Sequence, residues 1–174
     1  MKNFFKLQII IPFVLIIGSL IYFLFPRYQV LTFEYEDSQK LLGYAPVKTG
    51  QAFDMKYIHS IHLTPVYESY YVSDHDIIQY QLSYEEYGIG MPSHAEEGET
   101  FTEQNGRFII SGMNRVFPQI DIRVAQVTES QMVTLNNKSF YLTSLAEPGT
   151  WIRIQVQKLS RWKLLKGENI LERT

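Results

Sequence analysis

The chain has 174 residues, with 16 Lys and Arg against 18 Asp and Glu, and no cysteine. The missing cysteine excludes disulfides, a thiol nucleophile, thiolate metal sites and a lipid-modified cysteine anchor. Tyrosine (12) and phenylalanine (11) are plentiful while charged residues reach only 20%, a balance that suits a β-rich packed domain rather than disorder.

Phe4 to Phe25 is an apolar run interrupted early by Lys6 and Gln8. From Leu7 to Phe25 there is no charge, over a length that crosses a bilayer as a helix. Lys2 and Lys6 precede it, which places the N-terminus in the cytoplasm. The exit, Tyr22 to Arg27, lacks the small residues of a cleavage site, so an uncleaved signal-anchor at the cell membrane is expected. The expected organisation is residues 1–27 as a single-pass anchor, 28–157 as an extracytoplasmic β domain and 158–174 as a basic amphipathic tail. Beyond Lys2 and Lys6, 14 basic residues stand against 18 acidic ones, a formal charge of −4. No basic field is left to neutralise phosphates, and nucleic acid is excluded as a partner.

Tyr28 to Glu36 reads as a first strand and Leu41 to Val47 as a second. The stretch from Tyr57 to Val72 then reads as two arms folded across Leu63-Thr64-Pro65. The first arm alternates Phe53, Met55, Tyr57, His59 and Ile61; the second alternates Val66, Glu68, Tyr70 and Val72. Pro65 cannot donate a ladder hydrogen bond, which confines it to the connection or the start of a strand. A four-residue loop sets His59 opposite Glu68, and a two-residue loop sets them diagonally with Tyr70 opposite His59. Either register puts imidazole and carboxylate on one face, as a base, a proton switch, a polar binding wall or a mutually satisfied structural pair.

Asp74-His75-Asp76 marks a turn, and three adjacent residues there cannot all face one ion, so no metal site is assigned. Ile77 to Tyr84 returns as a strand. Glu85 to Thr100 carries Gly88, Gly90, Pro92 and Gly98, a long loop of the kind that binds. Gly88-Ile89-Gly90 lacks the third glycine and the helix of a nucleotide loop, and no cofactor is expected. The acidic run Glu96, Glu97, Glu99 and Glu103 reads as solvated surface, or with His94 as a loose divalent-cation site. Asn105-Gly106 between Phe101–Gln104 and Arg107–Ser111 is a two-residue hairpin signal. Ile120 to Thr128, Gln131 to Leu135, Ser139 to Thr143 and Trp151 to Gln157 complete the strands. Turns about every ten residues point to a mainly β fold, a single antiparallel sandwich or barrel-like domain behind the N-terminal helix. In the tail, Leu159, Trp162 and Leu165 at helical spacing lie on the membrane surface or pack back on the domain.

His59-Ser60, Thr64-Pro65-Val66, Glu68 and then Gly88-Ile89-Gly90-Met91-Pro92, in that order, resemble bacterial domain-of-unknown-function family 1850 over roughly residues 45 to 157. The resemblance implies a small exported protein, a companion of tripartite periplasmic (TRAP) transporters of the TAXI receptor subclass, and implies no catalytic activity; a non-enzymatic accessory is expected. Arg123 matches an arginine expected in the later half. The combined expectation is a site of His59, Ser60, Thr64, Pro65 and Glu68 beside Gly88, Gly90, Met91 and Pro92. There the glycines admit a ligand close to the backbone, and Arg123 forks a carboxylate of an organic anion. The alternatives are Arg123 paired with Glu68 as pure architecture, a scaffold docking a membrane partner, and a serine hydrolase at Ser60. The last lacks a strand–turn–helix elbow, and neighbouring strand residues face opposite ways.

Overall fold

Two stacked sheets enclose the main core. The computed structural model describes residues 2–88, 90–126 and 130–172, with side chains from residue 10 onward. The side chains expected in the membrane at 4–9, Ile89 of the glycine crossing, and Val127 and Thr128 of the expected 120–128 strand lie outside the described residues. One sheet has the order β12-β2-β1-β11-β8 and the other β10-β9-β3-β4-β5-β7-β6. The strands of the first are β1 (Tyr28–Tyr35), β2 (Lys40–Pro46), β8 (Ile120–Arg123), β11 (Trp151–Leu159) and β12 (Glu168–Asn169). Those of the second are β3 (Ala52–Ile58), β4 (Pro65–Val72), β5 (Ile77–Tyr84), β6 (Thr100–Gln104), β7 (Arg107–Phe117), β9 (Gln131–Leu135) and β10 (Lys138–Tyr141). Neither sheet closes on itself, so the architecture is a sandwich and not a barrel.

The alternation seen in sequence is what builds the core. Leu31 and Phe33 of β1, with Ile152, Ile154 and Val156 of β11, meet Phe53, Met55, Tyr70, Val72 and Val133 from the facing sheet. Asn105 and Gly106 both take positive φ (52° and 74°), as the two-residue hairpin between β6 and β7 requires. Asn136 and Asn137 do the same (53° and 59°) between β9 and β10.

A second, smaller cluster decides where the site lies. Val66, Leu82, Tyr84, Ile110 and Met113 form it on β4, β5 and β7, and Tyr57, Met91, Phe101 and Phe108 pack against it. Met91 comes from the glycine-marked loop, and the Tyr84 hydroxyl donates to the Pro92 carbonyl. That loop is therefore a strap covering an apolar patch of the seven-stranded sheet. At its acidic end Glu96, Glu97 and Glu103 are exposed as expected, and the solvated-surface expectation is corrected for Glu99. The Glu99 side chain is only 6% exposed, and Arg115 donates to both its oxygens at 3.2 and 3.3 Å while also reaching Glu96 at 3.2 Å. Glu99→Ala is expected to destabilise the domain by about 2 kcal/mol by stranding the half-buried guanidinium, read by thermal melting.

Before the sandwich runs helix α1 (Lys2–Leu24), whose described apolar side chains from Ile10 to Phe25 are almost all exposed. Among the described residues no helix is long and apolar enough to cross a membrane. Part of the basic tail packs back on the domain. Lys158 and Leu159 end β11, helix α2 (Arg161–Leu164) follows with Ser160 as its cap, and β12 then joins β2 in parallel. Ile170 is buried in the core there, close enough that a side chain at Gly43 would meet it.

Candidate functional site

The β3–β4 hairpin ends at Ile58 opposite Pro65, leaving residues 59–64 as a six-residue connection. Pro65 opens its strand, as its missing donor dictates. The register differs from both expected ones: Met55, not His59 or Ile61, faces Glu68. His59 shares the parity of Met55 but stands four residues on, about 13 Å along the strand. The expected His59–Glu68 pair is thus overturned.

The reason lies in the connection itself. The Leu63 N–H donates to the His59 carbonyl at 2.9 Å, closing one helical turn. His59 Nδ1 accepts from the backbone N–H groups of Ile61 and His62 at 3.3 and 3.2 Å, so the imidazole caps that turn as a serine or aspartate would. The His59 N–H in turn donates to the Thr64 carbonyl at 2.9 Å. Leu63 ends the turn at φ 57°, a conformation that a bulky side chain rarely adopts. Ser60 is exposed on the turn.

The glycine crossing lies against this tip, as the sequence suggested. A Cβ on Gly88 would fall inside van der Waals contact of His62 Nε2 and Cε1, and one on Gly90 would sit 4.0 Å from His59 Nε2. The two imidazoles lie 4.7 Å apart between centroids. Accepting at Nδ1 leaves the His59 ring proton on Nε2. His62 Nδ1 faces the Glu86 carboxylate at 3.4 Å, and its buried Nε2 has no hydrogen-bond partner. Sequence reasoning missed His62 and Glu86. The signal was available, because histidines at i and i+3 are neighbours on one helical turn. Among the described residues no group of three His, Cys, Asp or Glu is placed to hold a metal.

Glu68 sits one step inward, between the two apolar clusters. Tyr70 donates to its Oε2 at 2.7 Å and Tyr57 hydrogen-bonds it from β3. Burial pushes the carboxyl above its usual range, and the two hydroxyl bonds only partly offset this. Burial first, and the neighbouring Glu68 charge second, push both tyrosines up as well.

Arg123 does not join Glu68. It ends β8 in the other sheet, paired with Trp151, and its guanidinium lies 5.1 Å from the Trp151 ring centre. The expected carboxylate fork at this site is corrected accordingly. On β7 the Arg107 guanidinium covers the Tyr67 ring at 4.5 Å and reaches Glu85 at 3.5 Å. A separate cleft of about 720 Å³ lies along β1 and β11. Some of its polar groups serve one another: Gln155 and Gln157 donate to Glu34, and Arg153 binds Asp37 and, beside the cleft, Asp121.

Residues 53–142 match the family described as Domain of unknown function (DUF1850), just over half of the chain. The chain belongs to the DUF1850 family. No curated protein and no solved structure matches it. The matched DUF1850 region runs from β3 through β10, so it contains the hairpin tip, the strap and the buried Glu68, and leaves α1, β1, β2 and the tail outside.

Proposed function

We propose that the protein is a membrane-tethered, extracytoplasmic, non-enzymatic accessory that docks a component of a TRAP transporter of the TAXI type through the tip of the β3–β4 hairpin. The observation carrying this reading is the pair of apolar side chains at that tip, Ile61 at 58% and Leu63 at 74% exposed. They stand on a turn braced by His59 and backed by Gly88 and Gly90, and Leu63 keeps an unfavourable φ to hold its position. Apolar residues presented in this way fit a partner surface better than they fit water.

The tip also points away from the helix. Gln29, soon after α1, reaches Thr49, Ser73 and Asp74 at the open end of the hairpin. The opposite end of the first sheet, at Arg123, meets Gln131, which pairs with Tyr57 beside the tip. With α1 as a signal-anchor and Lys2 and Lys6 in the cytoplasm, the tip stands clear of the membrane. The organic-anion alternative depended on Arg123 beside Glu68, and that guanidinium lies on Trp151. Docking is the reading the geometry favours.

The test is recovery of transporter subunits with the tagged full-length protein from membranes in mild detergent. Leu63→Asp is expected to cut recovery at least tenfold, since burying one leucine contributes about 2 kcal/mol. Its melting temperature should be unchanged. Undiminished recovery with both Ile61→Asp and Leu63→Asp would overturn the proposal.

A further inference from the structure

At the exit of α1 a set of aromatic and basic side chains from both ends of the chain gathers at one level. Phe23 and Trp162 have ring centres 6.3 Å apart. The Arg27 guanidinium lies 3.7 Å from the Tyr22 ring centre and donates to the Tyr28 hydroxyl at 3.0 Å. The charge of Arg161 also acts on Tyr28. The Arg27 N–H donates to the Leu159 carbonyl at 3.2 Å, tying the last strand to the helix end.

From that junction α2 projects Trp162, 49% exposed, and Leu165, 68% exposed, with Arg161, Lys163 and Lys166 interleaved. The turn is fixed: the Lys163 N–H donates to Ser160 Oγ at 3.2 Å and the Gly167 N–H to the Leu164 carbonyl. Among the described residues no ion pair engages Arg161, Lys163 or Lys166. Lys163 and Lys166 rim the mouth of the cleft along β1 and β11, and the buried Glu34 in that cleft is bonded by two amides rather than by lysine.

We infer that α2 and the end of α1 form an interfacial collar that binds anionic phospholipid headgroups in the leaflet where the helix emerges. Trp162 and Leu165 enter the boundary between headgroups and acyl chains, and Arg161, Lys163 and Lys166 meet the phosphates. The inference rests on the anchor reading of α1. That reading fixes the depth of the collar, because Phe23 lies one residue before the end of α1 and touches Trp162. The collar would orient the domain, so that the hairpin tip is held at a set height above the bilayer.

The experiment uses the full chain in lipid nanodiscs with Trp151→Phe, which leaves Trp162 as the only tryptophan. Bromine is carried on the chains of phosphatidylglycerol in one preparation and of phosphatidylcholine in the other, at equal mole fraction. Brominated phosphatidylglycerol is expected to quench Trp162 the more strongly, reflecting a roughly fivefold local enrichment for each engaged lysine at low salt. Lys163→Glu with Lys166→Glu should equalise the two. Equal quenching in the unmodified collar overturns the anionic preference. A companion chain with Phe13→Trp, Trp151→Phe and Trp162→Phe reports on α1 alone. If it is quenched and Trp162 is not, the collar fails and the anchor stands; if neither is quenched, both fail.

Discussion

Glu68→Leu is expected to destabilise the domain by about 3 kcal/mol at pH 5, a loss of roughly 10 °C in melting temperature. The change removes the acceptor of Tyr70 and Tyr57 in a place where water does not replace it. Each buried hydroxyl left without a partner costs about 1–3 kcal/mol, and the apolar surface gained by leucine offsets only part of this. Glu68→Gln behaves differently, because an amide still offers one acceptor and one donor to the two hydroxyls. The pH dependence separates the roles. A carboxyl whose folded-state pKa is raised binds its proton more tightly in the fold than in the unfolded chain. Its contribution is therefore complete below the unfolded value of about 4.5 and is lost as the pH rises through the raised folded value. The parent protein should lose stability across that window, by about 1.4 kcal/mol for every tenfold by which the fold tightens proton binding, and Glu68→Gln should not. Melting curves between pH 4 and 8 make the comparison, and an unchanged slope in the glutamine variant would sink it.

Gly88→Ala is expected to dislodge the tip. Gly88 does not need positive φ, so alanine adds no backbone strain there, and the whole effect comes from a methyl group placed against the His62 ring. The ring must swing from the strap, leaving Glu86 and disturbing the turn that carries Ile61 and Leu63. The fold should lose only about 1 kcal/mol, since the displaced ring lies on a connection, while recovery of the partner falls at least tenfold. In a His62→Ala background the space is already open, and adding Gly88→Ala should cost nothing further in stability. Additive losses in this double-mutant cycle would show that the glycine serves another purpose. Gly90→Ala is a useful contrast, because Gly90 has φ 87° and any side chain there is strained by about 1 kcal/mol whatever the space around it.

The surroundings of Glu68 and His62 also show where sequence reasoning stops. Period-two alternation placed Met55, Tyr57, Val66, Glu68 and Tyr70 on the inner face of the hairpin, and the structure keeps them there. The same pattern is blind to a slide of an even number of residues, because every side chain then keeps its face. The register was decided by the helical turn at His59, whose capping nitrogen and six-residue span follow from backbone hydrogen bonds that a hydropathy pattern does not encode. Arg123 and Glu99 show the same limit from another side. The Trp151 partner of Arg123 comes from β11, further along the chain, and the Arg115 partner of Glu99 lies beyond the paired part of the β6–β7 hairpin, so neither pairing follows from hydropathy alone.

Local chemistry alone settled the β character of the domain, the turn at Asn105-Gly106, the confinement of Pro65 to a connection or strand start, the apolar run before Tyr28 and the family signature. Each of these is a property of neighbouring residues, fixed by allowed φ, a missing donor or composition. Only the tertiary structure decided that Glu68 is held by two tyrosines, that His62 rather than Glu68 accompanies His59, and that the tail joins the first sheet through β12. Those outcomes depend on long-range pairing, where the energy of burying one face is nearly the same for several arrangements until all the neighbours are in place.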